Sequence, residues 1–127
     1  MEAERYKRVG FVIDIDGTVV LSGKALPGAK ETLDHLEEKQ IPYLLLTNNV
    51  ARSEKLKAKE VSDMLGLKVP LKERQVILNY TPIKHKLNEL KDGVVLIVGR
   101  EFRLKDVLPL NGMEKFITIE EYCTIFP

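Results

Sequence analysis

Val9-Gly10-Phe11-Val12-Ile13-Asp14-Ile15-Asp16-Gly17-Thr18-Val19-Val20 is the stretch that decides the fold. A β-branched, apolar run ends abruptly in two aspartates, a glycine and a threonine. Because Phe11-Val12-Ile13 is continuous rather than alternating, it reads as a strand buried on both faces, the pattern of a parallel sheet. Parallel sheets place their chemistry where the strands end at their carboxyl edge. Two carboxylates at such an exit are costly without a cationic partner, and a hard cation such as Mg²⁺ is the simplest one. Asp14 and Asp16 are two apart, so within a strand they share a face. Gly17 permits a sharp turn directly after them. One carboxylate can then serve as nucleophile or metal ligand, and the other as general acid/base.

Two simpler readings compete with this one. A lone Asp-Gly is most often a turn capping a strand end. A calcium loop beginning at Asp14 needs glycine at position 19 and glutamate at position 25, where this chain has Val19 and Ala25.

Outward from this stretch the chain alternates strand and helix. Gly17 to Lys24 holds Val19-Val20-Leu21 between glycines and predicts a short hairpin or flap over the site. Pro27-Gly28 opens a helix that ends near Lys39, with Ala29, Leu33 and Leu36 on its inner face. His35 falls on the polar side, with no second ligand at metal spacing. Ile41-Pro42-Tyr43-Leu44-Leu45-Leu46 predicts a second buried strand ending in Thr47-Asn48-Asn49. A parallel crossover brings Thr47 and Asn48 beside Asp14 and Asp16, where a hydroxyl, an amide and exposed backbone N–H groups suit phosphoryl oxygens. A helix N-cap is the plainer reading of Thr-Asn-Asn taken alone.

A charged helix follows over about Ser53 to Leu65, with Gly66 as its stop and Ala58, Val61, Met64 and Leu65 inside. Its lysines, Lys57 among them, alternate with glutamates and read as a solvated face rather than a nucleic-acid patch. Gln75 to Asn79 predicts a third strand. Thr81-Pro82 starts a helix lined by Ile83, Leu87 and Leu90 and stopped by Gly93. Val94 to Val98 predicts a fourth strand, Leu104, Val107 and Leu108 a helix, Phe116 to Thr118 a last strand, and Ile119 to Thr124 a short helix. The alternation argues for one α/β domain over residues 1–127 with a mostly parallel sheet.

Composition narrows the function classes. The chain has 127 residues, 44% hydrophobic and 31% charged, which suits one globular core. A net charge of +1 gives no bulk case for nucleic acid or an anionic membrane. No apolar run approaches a membrane span. The single cysteine, Cys123, has no internal disulfide partner, which suits a reducing compartment. Met1-Glu2-Ala3-Glu4-Arg5 lacks the apolar segment of a secretory signal. The expected location is cytoplasmic.

The segment from Asp14 to Val19 resembles the first motif of the haloacid dehalogenase-like (HAD) phosphohydrolases. Leu26-Pro27-Gly28-Ala29 and Leu45-Leu46-Thr47-Asn48-Asn49 resemble subfamily IIA. Asn79-Tyr80-Thr81-Pro82, Val95 to Gly99 and Phe116 to Tyr122 look most like the branch named after the cat eye syndrome critical region, whose members are often mitochondrial. The resemblance implies a three-layer Rossmann-like core. It also implies Mg²⁺-dependent hydrolysis of a phosphorylated small molecule through an aspartyl-phosphate. Asp14 would be the nucleophile and Asp16 the general acid/base. The Asp14 carboxylate and Asp16 backbone carbonyl would hold Mg²⁺, and Thr47, Asn48 and Gly17 the phosphoryl oxygens. Family members carry a cap domain, a lysine and a further acidic motif that have no counterpart among these residues. The resemblance therefore implies an incomplete core, a weak metal site and weak or absent activity for this chain. The sheet edge beside the Asp14 strand should be open and apolar, inviting a second copy. The alternative is a non-catalytic phosphate-binding or interaction module built on the same half-core.

Overall fold

A computed structural model describes residues 9–49, 53–83, 86, 89–90, 92–98 and 115–127. The chain divides into two compact units, Met1–Asn79 and Tyr80–Pro127.

The first unit is built on a three-stranded parallel sheet in the order β1 (Phe11–Asp14), β4 (Tyr43–Leu46), β5 (Val76–Ile77). Phe11 stands opposite Tyr43, and Asp14 opposite Leu46. Leu45 and Leu46 stand opposite Val76 and Ile77. The ladder runs slightly past the strands. The Ile15 N–H donates to the Leu46 carbonyl at 3.2 Å, and the Thr47 N–H to the Ile77 carbonyl at 3.0 Å. These bonds fix where the two strand ends lie relative to each other.

Between β1 and β4 the chain makes the expected hairpin, β2 (Val20–Leu21) with β3 (Lys24–Ala25). Its two turn residues, Ser22 and Gly23, both have positive φ, the conformation that matches the twist of a two-residue hairpin. Helix α1 (Ala29–Glu38) follows a left-handed Gly28 and buries Ala29, Leu33 and Leu36, the three residues its spacing placed inside. Helix α2 (Glu54–Leu65) is capped by Ser53, whose Oγ accepts from the Leu56 N–H at 3.2 Å. It ends at Gly66 with φ 61°. Ala58, Val61 and Leu65 are buried; Met64 is half-buried.

Three details depart from the sequence expectation. Lys57, read as part of a solvated face, is buried. Its aliphatic stem is covered, and its Nζ reaches Glu60 at 3.5 Å at the rim, as long basic side chains do when the helix face beneath them packs. β5 is two residues long rather than five, because the 3-10 turn Glu73–Gln75 takes up the start of the predicted strand. Finally, β1 is not covered on both faces. Phe11 and Val12 are exposed by 45% and 66%, since among the described residues β1 pairs with β4 alone and stands at the sheet edge. Among the described residues the edge of this strand is open and apolar.

The second unit contains a parallel pair, β6 (Val95–Ile97) with β7 (Phe116–Thr118), and the short helix α3 (Ile119–Ile125). Thr118 caps α3. Its Oγ1 accepts from the Glu121 N–H at 3.2 Å, and the Glu121 carboxylate accepts from the Thr118 N–H at 2.9 Å, a reciprocal capping box. Thr81–Ile83 forms a 3-10 turn where the Thr-Pro pair predicts a helix start. Leu87, Gly99 and the helix expected around Leu104, Val107 and Leu108 lie outside the described residues.

Candidate active site

The site is assembled where β1 and β4 end. β1 stops at Asp14, whose carboxylate is exposed. The next residue, Ile15, is fully buried and anchors the turn. Its carbonyl accepts from three successive N–H groups, Thr18 at 3.4 Å, Val19 at 2.9 Å and Val20 at 3.0 Å. That wrap forces residues 16–18 outward over a single buried side chain. Gly17 adopts φ 94°, a conformation that strains any residue with a Cβ, and its N–H donates to the Val20 carbonyl at 2.7 Å. No atom lies within 4 Å of the place a Cβ would occupy, so the glycine answers the backbone angle rather than crowding.

The turn presents Asp14 and Asp16 on the exposed side. The Thr18 Oγ1 lies 3.4 Å from Asp14 Oδ2, close to the limit for donation. Asp16 makes the longer connection. The Thr47 hydroxyl, at the end of β4, donates to Asp16 Oδ2 at 2.9 Å across 31 positions of sequence. Thr47 itself is 1% exposed, and its Oγ1 also accepts from the Asn49 N–H at 3.0 Å. Asn48 and Asn49 are exposed just beyond.

The structure thus places Asp14, Asp16, Gly17, Thr47 and Asn48 around the carboxyl ends of two adjacent parallel strands. It directly bonds Asp16 to Thr47. The sequence marks Thr18 only by a hydroxyl four residues after Asp14, on the far side of a glycine turn. The part played by the Asn49 N–H is not legible there, because a backbone donor leaves no mark in composition. Among the described residues no three His, Cys, Asp or Glu side chains gather in a way that could hold a metal by themselves. Asp14 and Asp16 nevertheless offer only hard oxygens, the donor type Mg²⁺ takes. Mg²⁺ is commonly held by one or two carboxylates together with substrate phosphate and water. The fit is therefore to a partial site that a phosphorylated ligand would complete.

Comparison with known proteins bears on this arrangement. The profile of the haloacid dehalogenase-like hydrolases matches residues 11–114. The chain is 37% identical over 94 residues to a mitochondrial hydrolase of Saccharomyces cerevisiae, covering 73% of this chain and 25% of that protein. It is 30% identical over 106 residues to a 5'-nucleotidase of Bacillus subtilis, covering 82% of this chain and 40% of that one. A glycerol phosphate phosphatase of Mycobacterium tuberculosis, solved in complex with magnesium, superposes with a TM-score of 0.59 at 25% identity. That match covers 87% of this chain and 31% of the phosphatase. The chain thus spans between a quarter and two-fifths of the curated relatives it matches here. With an α/β fold, parallel strands and a profile match over most of its length, the chain belongs to the haloacid dehalogenase-like hydrolases, of the subfamily IIA type.

Proposed function

We propose that the chain carries the nucleophile half of a phosphate monoester hydrolase. The observation that carries this reading is the meeting of two strand ends. An exposed Asp14 closes β1, and Asp16 is bonded to the buried Thr47 that closes β4. Asp14 Oδ attacks phosphorus while the bond from phosphorus to the leaving oxygen breaks, giving an aspartyl-phosphate. Asp16 gives its proton to that leaving oxygen. It then takes a proton from the water that attacks the same phosphorus, releasing inorganic phosphate and restoring Asp14. Gly17, Asn48 and Thr47 receive the phosphoryl oxygens. Mg²⁺, held by the Asp14 carboxylate and the Asp16 backbone carbonyl, would supply positive charge against phosphate and carboxylate.

The substrate class is a phosphorylated small molecule, as the likeness to a nucleotidase and a glycerol phosphate phosphatase supports. The donor set of two acids found among the described residues supports weak Mg²⁺ affinity and low turnover. The exposed Phe11 and Val12 on β1 support a further strand along that edge, from another copy or another segment. No described helix is long and apolar enough to cross a membrane. The likeness to a yeast mitochondrial hydrolase supports a mitochondrial location as the alternative to a cytoplasmic one; fractionation decides between them.

The test is hydrolysis of p-nitrophenyl phosphate with Mg²⁺ by folded protein. Turnover that disappears in Asp14→Asn is expected; turnover that persists there overturns the nucleophile assignment. The same two-acid donor set favours a second reading, a non-catalytic phosphate-binding module. Phosphate binding without turnover is its signature.

A further inference from the structure

Among the described residues the backbone of β1 is bonded on one side alone. The Phe11 N–H donates to the Pro42 carbonyl at 2.9 Å and the Ile15 N–H to the Leu46 carbonyl at 3.2 Å, both toward β4. Along a strand, residues that bond one neighbour alternate with residues that face the other side. The N–H and C=O groups of Val12 and Asp14 therefore point to the open edge. Such a row is a template for another strand. Val9-Gly10-Phe11-Val12-Ile13 has no charge and no proline, the features with which edge strands repel a partner. Charge is instead split between the two ends of the stretch. Arg5, Lys7 and Arg8 precede it, and Asp14 and Asp16 follow it. Both aspartates are exposed, and among the described residues neither makes an ion pair.

We infer that two copies of this chain pair β1 to β1, antiparallel across a two-fold axis, and that Lys7 and Arg8 of each copy supply positive charge to Asp14 and Asp16 of the other. The stretch is self-complementary in that arrangement alone. Run antiparallel, the basic start of each strand lies along the acidic end of its mate. Run parallel, like charges stand side by side, which is destabilising. With Val12 on the axis, Gly10 stands opposite Asp14 of the second copy, and the outward N–H and C=O groups of Val12 and Asp14 all find partners. The same groups meet on both sides of a two-fold axis, so one edge makes a closed dimer. The second copy then brings the cation that a site of two carboxylates and a phosphate calls for. That use of the charge rests on the phosphatase reading above; the pairing of the edges does not.

Sedimentation equilibrium and amide exchange on the whole chain test the pairing. The mass should rise from one chain to two over about 1–300 µM, the range in which unpaired edges associate. High salt should reverse it. The Val12 and Asp14 amides should gain protection as the dimer forms. Val12→Pro removes an outward N–H and spares the β4 ladder, so it should give a folded monomer by circular dichroism. Phe11→Lys sets a charge on the face of β1 away from Asp14 and should give the same result if the proline disturbs the strand. A mass that stays at one chain overturns the inference. So does a Val12 amide already protected in the monomer, which means that a segment of the same chain fills the edge. A dimer that survives both variants uses another surface and overturns it as well.

Turnover tests the supplied charge. Hydrolysis of p-nitrophenyl phosphate per chain should rise about tenfold or more as the dimer forms. The double variant Lys7→Glu with Arg8→Glu should lose that rise and most of the dimer. A dimer just as strong and as active in the double variant overturns the part given to Lys7 and Arg8. A dimer with protected Val12 amides that hydrolyses nothing sinks the phosphatase reading while keeping the paired edges.

Discussion

The two units use the same device, a parallel pair of apolar strands followed by a capped helix, with opposite results for burial. In Met1–Asn79 a core forms, although Phe11, Val12 and Leu46 of the sheet stay exposed. Ile15, Leu33, Leu45, Val61, Val76 and Leu78 are all essentially inaccessible. In Tyr80–Pro127 no described apolar side chain is buried; Thr118 alone is, while Val94, Leu96, Val98, Ile125 and Phe126 are exposed. Among the described residues the difference lies in cover rather than in the strands. Residues 29–38 and 54–65 supply two helices with apolar stripes to the first unit, whereas α3 is seven residues long and buries none of its own side chains. A strand pair holds a site in place only where something packs upon it.

The largest expected effect sets the chemistry of the first unit apart. Asp14→Asn should reduce any Mg²⁺-dependent aryl phosphate hydrolysis to background, a loss of at least about 10³-fold, with circular dichroism unchanged. Retained activity would move the nucleophile elsewhere and break the comparison outright.

Next in size is core truncation. Leu45→Ala, at a fully buried position of β4, should cost about 2–5 kcal/mol in urea unfolding. Leu96→Ala, at a position of β6 that is 44% exposed, should stay within about 0.5 kcal/mol. Equal costs would mean that β6 is covered in solution. Hydrogen exchange on the intact chain sharpens the same contrast, with amides of β4 outlasting those of β6.

Smaller still are the caps. Ser53→Ala and Thr118→Ala each remove a side-chain acceptor worth about 1 kcal/mol. The first should lower the main unfolding transition, because α2 packs on the core. The second should only fray α3, read as faster exchange of its amides.

The smallest effect is one of pH. Asp34 on α1 is held below its usual 3.8, first by the hydrogen bond from Lys30 and then by the Lys68 backbone N–H. A carboxyl that is more acidic when folded contributes stability above its unfolded pKa and loses it as pH falls through the folded value. Asp34→Asn should therefore flatten the acid limb of the stability profile below about pH 4. An unchanged limb would show that the link between α1 and the loop at Lys68 contributes nothing.

Much of this was open to reading from residue order alone. The positions of β1 and β4, the hairpin after Gly17, the inner stripe of α1 and the stop at Gly66 follow from local rules: periodicity, caps, and glycines at positive φ. So does the choice of Asp14, Asp16, Thr47 and Asn48 as candidates, since these residue types fall at predicted strand ends. Local rules stop where an outcome depends on what lies across space. Lys57 reads as a surface charge by type and becomes buried because its helix face packs. The run Phe11-Val12 reads as doubly buried and stands at an edge, since a strand cannot specify its own second neighbour. The bond from Thr47 to Asp16 spans 31 positions and exists only because β1 and β4 pair in one register. Sequence chose the chemical groups and the turns that carry them. The tertiary structure decided which proton meets which oxygen, because hydrogen bonds are set by angstroms between side chains and sequence spacing measures distance only along the chain.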